Sequence, residues 1–97
     1  MAPPARRSDR LRQLEQRRVQ AGVVADVVLD TVGLYCPVPI IRTAERIGPM
    51  APGQVIEVLS DDRVILIDMP AWCVSCGHEY LGFREQGSEW RLYIRRK

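Results

Sequence analysis

Three cysteines carry the most reactive side chains of this 97-residue chain: Cys36, Cys73 and Cys76. Cys36 stands in the segment Gly33-Leu34-Tyr35-Cys36-Pro37-Val38-Pro39, between a β-branched stretch and an amphipathic one. That places a thiol where a strand ends and a helix begins. A helix N-terminus presents unpaired N–H groups and a partial positive charge. Both favour a thiolate, so the pKa of Cys36 is expected to be lowered. A thiolate is the nucleophile of sulfur transfer and of disulfide exchange. The same N–H groups could hold the outer sulfur of a persulfide. Pro37 is expected at the first helical position, where a missing N–H costs nothing and the fixed φ suits the helix. Pro39 falls in the first turn, where donors are unpaired anyway. The competing reading is a buried structural cysteine, since free Cys is among the most buried residue types.

Cys73-Val74-Ser75-Cys76 has a redox or metal-binding spacing. On a helix the two thiols are one turn apart. With Cys36 and His78, the only histidine, they could complete a four-ligand zinc set. One Cys-x-x-Cys is only half of the usual zinc pattern, however, and the pair falls on an expected core face beside Met69 and Trp72. A packed Cys73 with a partly exposed Cys76 is the plainer reading. A disulfide, or a resolving thiol for Cys36, is the sharper one. His78 follows Gly77 at an expected helix end and suits a structural hydrogen bond. Asp61 and Asp62 read as helix caps. Arg42 and Arg46, one turn apart behind Cys36, read as solvated side chains or as part of a docking face. Leu34, Tyr35 and Val38 flank the thiol as an apolar docking patch, though Leu34 or Val38 could equally be core.

The elements that must position these groups follow from periodicity. Residues 27–32 are β-branched and read as a strand that Gly33 breaks. Pro37 to Ile47 reads as a helix with Ile40, Ala44 and Ile47 on one stripe. Gly48-Pro49 stops it, and Pro52-Gly53 makes a turn. Gln54 to Leu59 reads as a second strand, with Ile56 and Val58 facing one way and Glu57 the other. Residues 63–67 suit either a strand or a helix. The acidic pair before them favours a helix that carries Ile65, Met69, Trp72, Cys73 and Cys76 on one face, with Pro70 as a kink and Gly77 as its end. Glu79 to Glu85 and Glu89 to Arg95 are two further strands around Gln86-Gly87-Ser88. Leu81 and Phe83 face the core from one, and Trp90, Leu92 and Ile94 from the other, with Arg91 and Arg95 outward. The expected fold is an α/β two-layer sandwich of order β-α-β-α-β-β, a four-stranded mixed sheet with two helices on one face.

Composition bounds the function. The length allows one domain with a thin core, which disfavours a deep, enclosed active site. Residues 1–25 hold six arginines against Asp9 and Glu15, a surplus of four positive charges on a net +2 chain. They read as a flexible or partly helical basic extension, with a helix from Ser8 to about Gln20. Residues 26–97 form the domain, with two net negative charges. Direct nucleic-acid binding is not expected, because phosphate binding needs clustered Lys and Arg on the folded surface. No apolar run approaches the roughly 20 residues of a membrane span, and no secretory h-region is present. A cytoplasmic setting with reduced thiols is the expectation.

The segment Cys36-Pro37-Val38-Pro39, after a strand and a glycine, resembles the Cys-Pro-x-Pro motif of the TusA/SirA-like sulfur-carrier family. The similarity extends to Leu29-Asp30 and Gly33 before it and to Pro52-Gly53 and Asp61-Asp62 after it. Pro70-Ala71-Trp72-Cys73 and Gly77-His78-Glu79 also match. It covers about residues 26–96 and implies the element order just derived. It further implies a sulfurtransferase-like carrier that holds sulfur as a persulfide on Cys36, with Gly33, Pro37 and Pro39 shaping the turn and with no resident metal or other cofactor. The implied donor is a cysteine desulfurase or a rhodanese-like protein. The implied acceptor is a protein of tRNA thiolation, cofactor biosynthesis or sulfur oxidation. Two features depart from the family. Residues 1–25 have no counterpart in its compact members, and Cys76 is not needed by the basic carrier. The alternative is a redox or zinc-binding regulatory module built on Cys73 and Cys76.

Overall fold

β-Branched and aromatic residues alternate with polar ones in the strand segments, and such stretches pair into sheets that bury one face. The structure is a computed structural model and describes residues 23–97. The expected helix over residues 8–20 lies outside the described residues. Four strands form: β1 (Val27–Asp30), β2 (Val55–Ser60), β3 (Glu79–Gln86) and β4 (Glu89–Arg95). Two helices alternate with them, α1 (Val38–Ile47) between β1 and β2, and α2 (Ile65–Cys76) between β2 and β3. The sheet order is β1-β2-β4-β3. β1 runs parallel to β2, and β4 runs antiparallel to both β2 and β3. This is the two-layer β-α-β-α-β-β sandwich that the periodicity predicts.

β2 and β4 are the inner strands, and their facing residues build the core. Ile56 and Val58 pair with Ile94 and Leu92. They join Ile47, Met50, Ile65, Met69, Cys73, Tyr80 and Phe83 in one buried cluster, to which both helices contribute. The ambiguous stretch at 63–67 resolves as the entrance to α2, which buries Ile65, Met69, Pro70 and Cys73. On the other sheet face the charged side chains pair. Arg91 meets Glu57 at 2.5 Å and Arg95 meets Glu79 at 2.6 Å.

Three local expectations are corrected. The buried stripe of α1 is Pro39, Thr43 and Ile47, while Ala44 is exposed. Thr43 can be buried because its Oγ1 donates to the Pro39 carbonyl at 2.8 Å, satisfying the hydroxyl inside the helix. In β3 an irregularity between Tyr80 and Gly82 changes the phase of the strand. Tyr80 joins Phe83 in the core, and Leu81 is left half-buried. A bulge inserts one residue and so reverses the alternation that places Leu81 inward. The first strand also ends sooner than expected, at Asp30, because Thr31 and Val32 begin the loop that carries the thiol.

Ile56 is fully buried at the centre of the sheet. We expect Ile56→Ala to cost about 2–5 kcal/mol, the range for truncating a large core aliphatic residue. A lowered midpoint of urea unfolding would register that loss.

Candidate functional site

The loop from Thr31 to Pro37 has few apolar contacts to hold it, so its backbone donors must find acceptors. They find them in an ordered series. Thr31 is buried, and both its N–H and its Oγ1 donate to the Leu59 carbonyl, at 2.8 and 2.5 Å. Asp30 accepts the Val32 N–H at 2.9 Å. Gly33 takes φ +87°, a conformation costly for a residue with a Cβ, and its N–H donates to Asp61 Oδ1 at 2.9 Å. The Cys36 N–H donates to Asp62 Oδ2 at 2.8 Å. The expected capping role is therefore corrected: Val64, not an aspartate, is the N-cap of α2, and Asp61 serves the Cys36 loop instead. Asp62 Oδ1 accepts the Val64 N–H at 3.1 Å and so also closes the turn into α2. Between them the two aspartates fasten the Cys36 loop to the α2 entrance.

The peptide bond from Cys36 to Pro37 is cis. Pro37 is the N-cap of α1 rather than its first helical residue, which is Val38. Pro39 lies in the first turn, as expected, and is buried. The thiol is half-buried. Its Sγ donates a hydrogen bond to Asp68 Oδ2, a carboxylate in the first turn of α2.

This environment reverses the expected acidity. The Cys36 thiol is pushed up to about 11, first by the hydrogen bond to Asp68, then by partial burial and by the charges of Asp68 and Asp62. The helix entrance offers little to oppose that. Pro37 and Pro39 have no N–H. The Cys36 N–H is taken by Asp62, and the Val38 N–H donates to the Tyr35 carbonyl at 2.9 Å. The donors at residues 36–39 are thus missing or engaged.

The other candidate residues fall into two groups. Cys73 is fully buried in the core and is pushed up to about 12 by burial. Cys76 is half-buried one turn on, and all three cysteines are free thiols. His78 has a structural role. Its Nδ1 accepts the Lys97 N–H at 3.2 Å, and its ring lies 5.3 Å from that of Trp72. Burial, with Lys97 and Arg96 nearby, lowers its pKa. Among the described residues, no group of three or more His, Cys, Asp or Glu side chains is placed to hold a metal ion. Cys36, Cys73, Cys76 and His78 are thus not brought together as the four-ligand set that their spacing allowed. Around Cys36 the exposed apolar side chains are Tyr35 and Val38, while Leu34 is half-buried. Arg42 and Arg46 line an open groove with Leu29 and Glu45.

Comparison with known proteins agrees with this architecture. Residues 27–96 match the family described as Sulfurtransferase TusA. The chain belongs to the TusA family. It is 35% identical over 75 residues to the sulfur carrier protein TusA of Pseudomonas entomophila, covering 77% of this chain and 94% of that protein. It is 40% identical over 72 residues to the putative sulfur carrier protein YrkF of Bacillus subtilis, covering 74% of this chain. The match spans only 39% of YrkF's own length. A SirA-like protein from Desulfitobacterium hafniense shares the fold, with a TM-score of 0.65 at 21% identity, over 71% of this chain and 95% of that one. As a member of the TusA family the chain is a sulfur carrier.

Asp68 is the residue of this TusA-family site that sequence reasoning missed. The sequence pattern places it within the helix that ends at Gly77 and assigns it no role. A lone carboxylate in the first turn of a largely apolar helix was the available signal.

Two measurements test this electrostatic picture. Alkylation of Cys36 by iodoacetamide, followed by peptide mass mapping, should keep accelerating towards pH about 11, and Asp68→Asn should move that rise to lower pH. Stability should fall at high pH. The fold holds the Cys36 and Cys73 thiols protonated, so their contribution is whole below the unfolded value of 9.0. It is lost as pH climbs through about 11 and about 12. The urea midpoint should therefore drop from about pH 9 towards pH 11, and less steeply in Cys73→Ala.

Proposed function

We propose that this sulfur carrier holds its cargo as a persulfide on Cys36. The cargo arrives from a cysteine desulfurase or rhodanese-like donor and leaves to an acceptor protein. The observation that carries this reading is the contrast between the thiols. Cys36 is half-exposed on a loop whose backbone is fixed by Asp61 and Asp62, whereas Cys73 is sealed in the core. A relay thiol must meet a second protein's sulfur, and a partner surface can reach Cys36.

The transfer needs no net oxidation. The Cys36 sulfur attacks the outer sulfur of the donor's persulfide, and a new S–S bond forms as the donor's own S–S bond breaks. The departing electron pair stays on the donor's cysteine, which leaves as a thiolate and takes up a proton. Cys36 gives up its proton in the same exchange. Fixing the loop in advance lowers the ordering cost of this encounter. The acceptor step repeats the exchange with Cys36 as the leaving sulfur.

Delivery into tRNA thiolation, cofactor biosynthesis or sulfur oxidation, in a cytoplasmic setting, belongs to the same proposal. Among the described residues, no helix is long and apolar enough to cross a membrane. The second reading, a redox or zinc module on Cys73 and Cys76, has less support, because Cys73 is inaccessible and, among the described residues, no ligand set gathers around it.

Incubation with a cysteine desulfurase and cysteine should add about 32 Da, one sulfur atom, to the intact mass. Cys36→Ser should abolish that gain, and Cys73→Ser should keep it. An adduct retained in Cys36→Ser would overturn the assignment.

A further inference from the structure

The Cys36 thiol meets carboxylates where a sulfur anion would meet repulsion. Its Sγ–H donates to Asp68 Oδ2. Its N–H donates to Asp62 Oδ2 at 2.8 Å, so a second carboxylate stands beside the same residue. Asp61 binds the Gly33 N–H at 2.9 Å on the same side of the loop. The charges that act on the thiol are those of Asp68 and Asp62, both from the β2–α2 side. On α1 the charged side chains Arg42, Glu45 and Arg46 come at least four residues after Val38 and line the groove against Leu29 instead.

We propose that Asp68 is a positioning residue that biases Cys36 towards releasing its sulfur, because its carboxylate pairs with the discharged thiol and repels the loaded persulfide. The proposal rests on Cys36 being the persulfide carrier. A persulfide ionises more readily than a thiol, so at neutral pH the loaded side chain is an anion. Its outer sulfur lies one S–S bond, about 2.05 Å, from Sγ. Loading removes the proton that Sγ donates to Asp68. It replaces a neutral donor with an anion between two carboxylates. Like charges at this range disfavour the charged form, and the hydrogen bond favours the protonated one. Both effects act in one direction. They raise the tendency of the loaded carrier to pass its sulfur on.

The release step balances. The acceptor's thiolate attacks the outer sulfur, and the bond from that sulfur to Cys36 Sγ breaks. The electron pair returns to Sγ, which takes up a proton from water and donates it to Asp68 in a hydrogen bond. One S–S bond is lost and one is formed, and nothing is oxidised or reduced overall. Asp62 contributes by charge, and it also holds the backbone. Asp68 holds no backbone N–H of the loop, so its substitution separates electrostatics from anchoring.

The test is an exchange equilibrium. The full-length protein is equilibrated with glutathione and glutathione persulfide at fixed ratio, and the loaded fraction is read by intact mass. At about pH 7.5, Asp68→Asn should raise the ratio of loaded to unloaded Cys36 by about tenfold, and Asp68→Glu, which restores the charge, should reverse most of that rise. An unchanged ratio in a folded Asp68→Asn protein overturns the proposal while leaving the persulfide on Cys36 in place. No adduct on the wild-type Cys36 would instead overturn the persulfide reading and this proposal with it. A wild-type measurement serves if Asp68→Asn does not fold. Above pH about 9 glutathione is ionised while Cys36 keeps its proton, so discharge consumes a proton. The loaded-to-unloaded ratio should then rise by about tenfold from pH 9 to pH 10. A flat profile over that range overturns the proposal.

Discussion

Two backbone N–H groups decide where the reactive thiol sits. Those of Gly33 and Cys36 donate to the side chains of Asp61 and Asp62, across a sequence separation of 28 and 26 residues. Apart from Thr31, the loop between β1 and α1 buries no side chain of its own that could fix it with equal precision. Thr31, anchored twice on the Leu59 carbonyl, fastens its start. The parallel pairing of β1 with β2 brings these partners to the same end of the sheet. The site therefore depends on the sheet register. A slip of one residue between β1 and β2 would turn the strand's side chains over and carry Asp61 and Asp62 away from their donors.

Carboxylates that hold backbone amides bring charge with them. Asp62 anchors Cys36 and also disfavours ionisation of its thiol, and Asp68 adds to that effect from α2. The prolines intensify it by removing donors from the helix entrance. The outcome is a thiol that is well placed and poorly ionised. In a relay this combination protects the resting carrier, since the thiolate is the form that electrophiles and oxidants attack. Reactivity then depends on what a docked partner brings to the loop.

Most of the architecture was legible in the sequence because it rests on periodicity. Ile56 and Val58 alternate with Glu57, and Leu92 and Ile94 alternate with Arg91 and Arg95, so the sheet faces follow directly. The helical outcome at residues 63–67 was legible only through Asp61 and Asp62. The acidity of Cys36 was not legible. Helix-entrance physics is general, but its sign here depends on Asp68, 32 residues away in sequence, and on which N–H groups were already engaged. The phase change in β3 was hidden for a similar reason. A bulge leaves no periodic trace, and Leu81 is as apolar as a core residue. Thr43 was hidden too, because its burial relies on a hydroxyl bonded back to Pro39.

The two helices also give the domain a polarity. The N-terminal ends of α1 and α2 meet at the Cys36 loop. The C-terminal ends are fastened by the last two residues. Arg96 donates to the carbonyls of Ile47 and Gly48, at 3.1 and 3.3 Å, and Lys97 donates to His78 just beyond α2. A ten-residue helix separates its two ends by about 15 Å. A tether, fluorophore or solid support joined after Lys97 therefore stands a helix length from the thiol. The carrier can be fixed to a surface by that end with its Cys36 loop facing solution, and Lys97 is the only lysine of the sequence, so side-chain amine coupling reaches the same end, whereas coupling through a cysteine would not enforce that orientation.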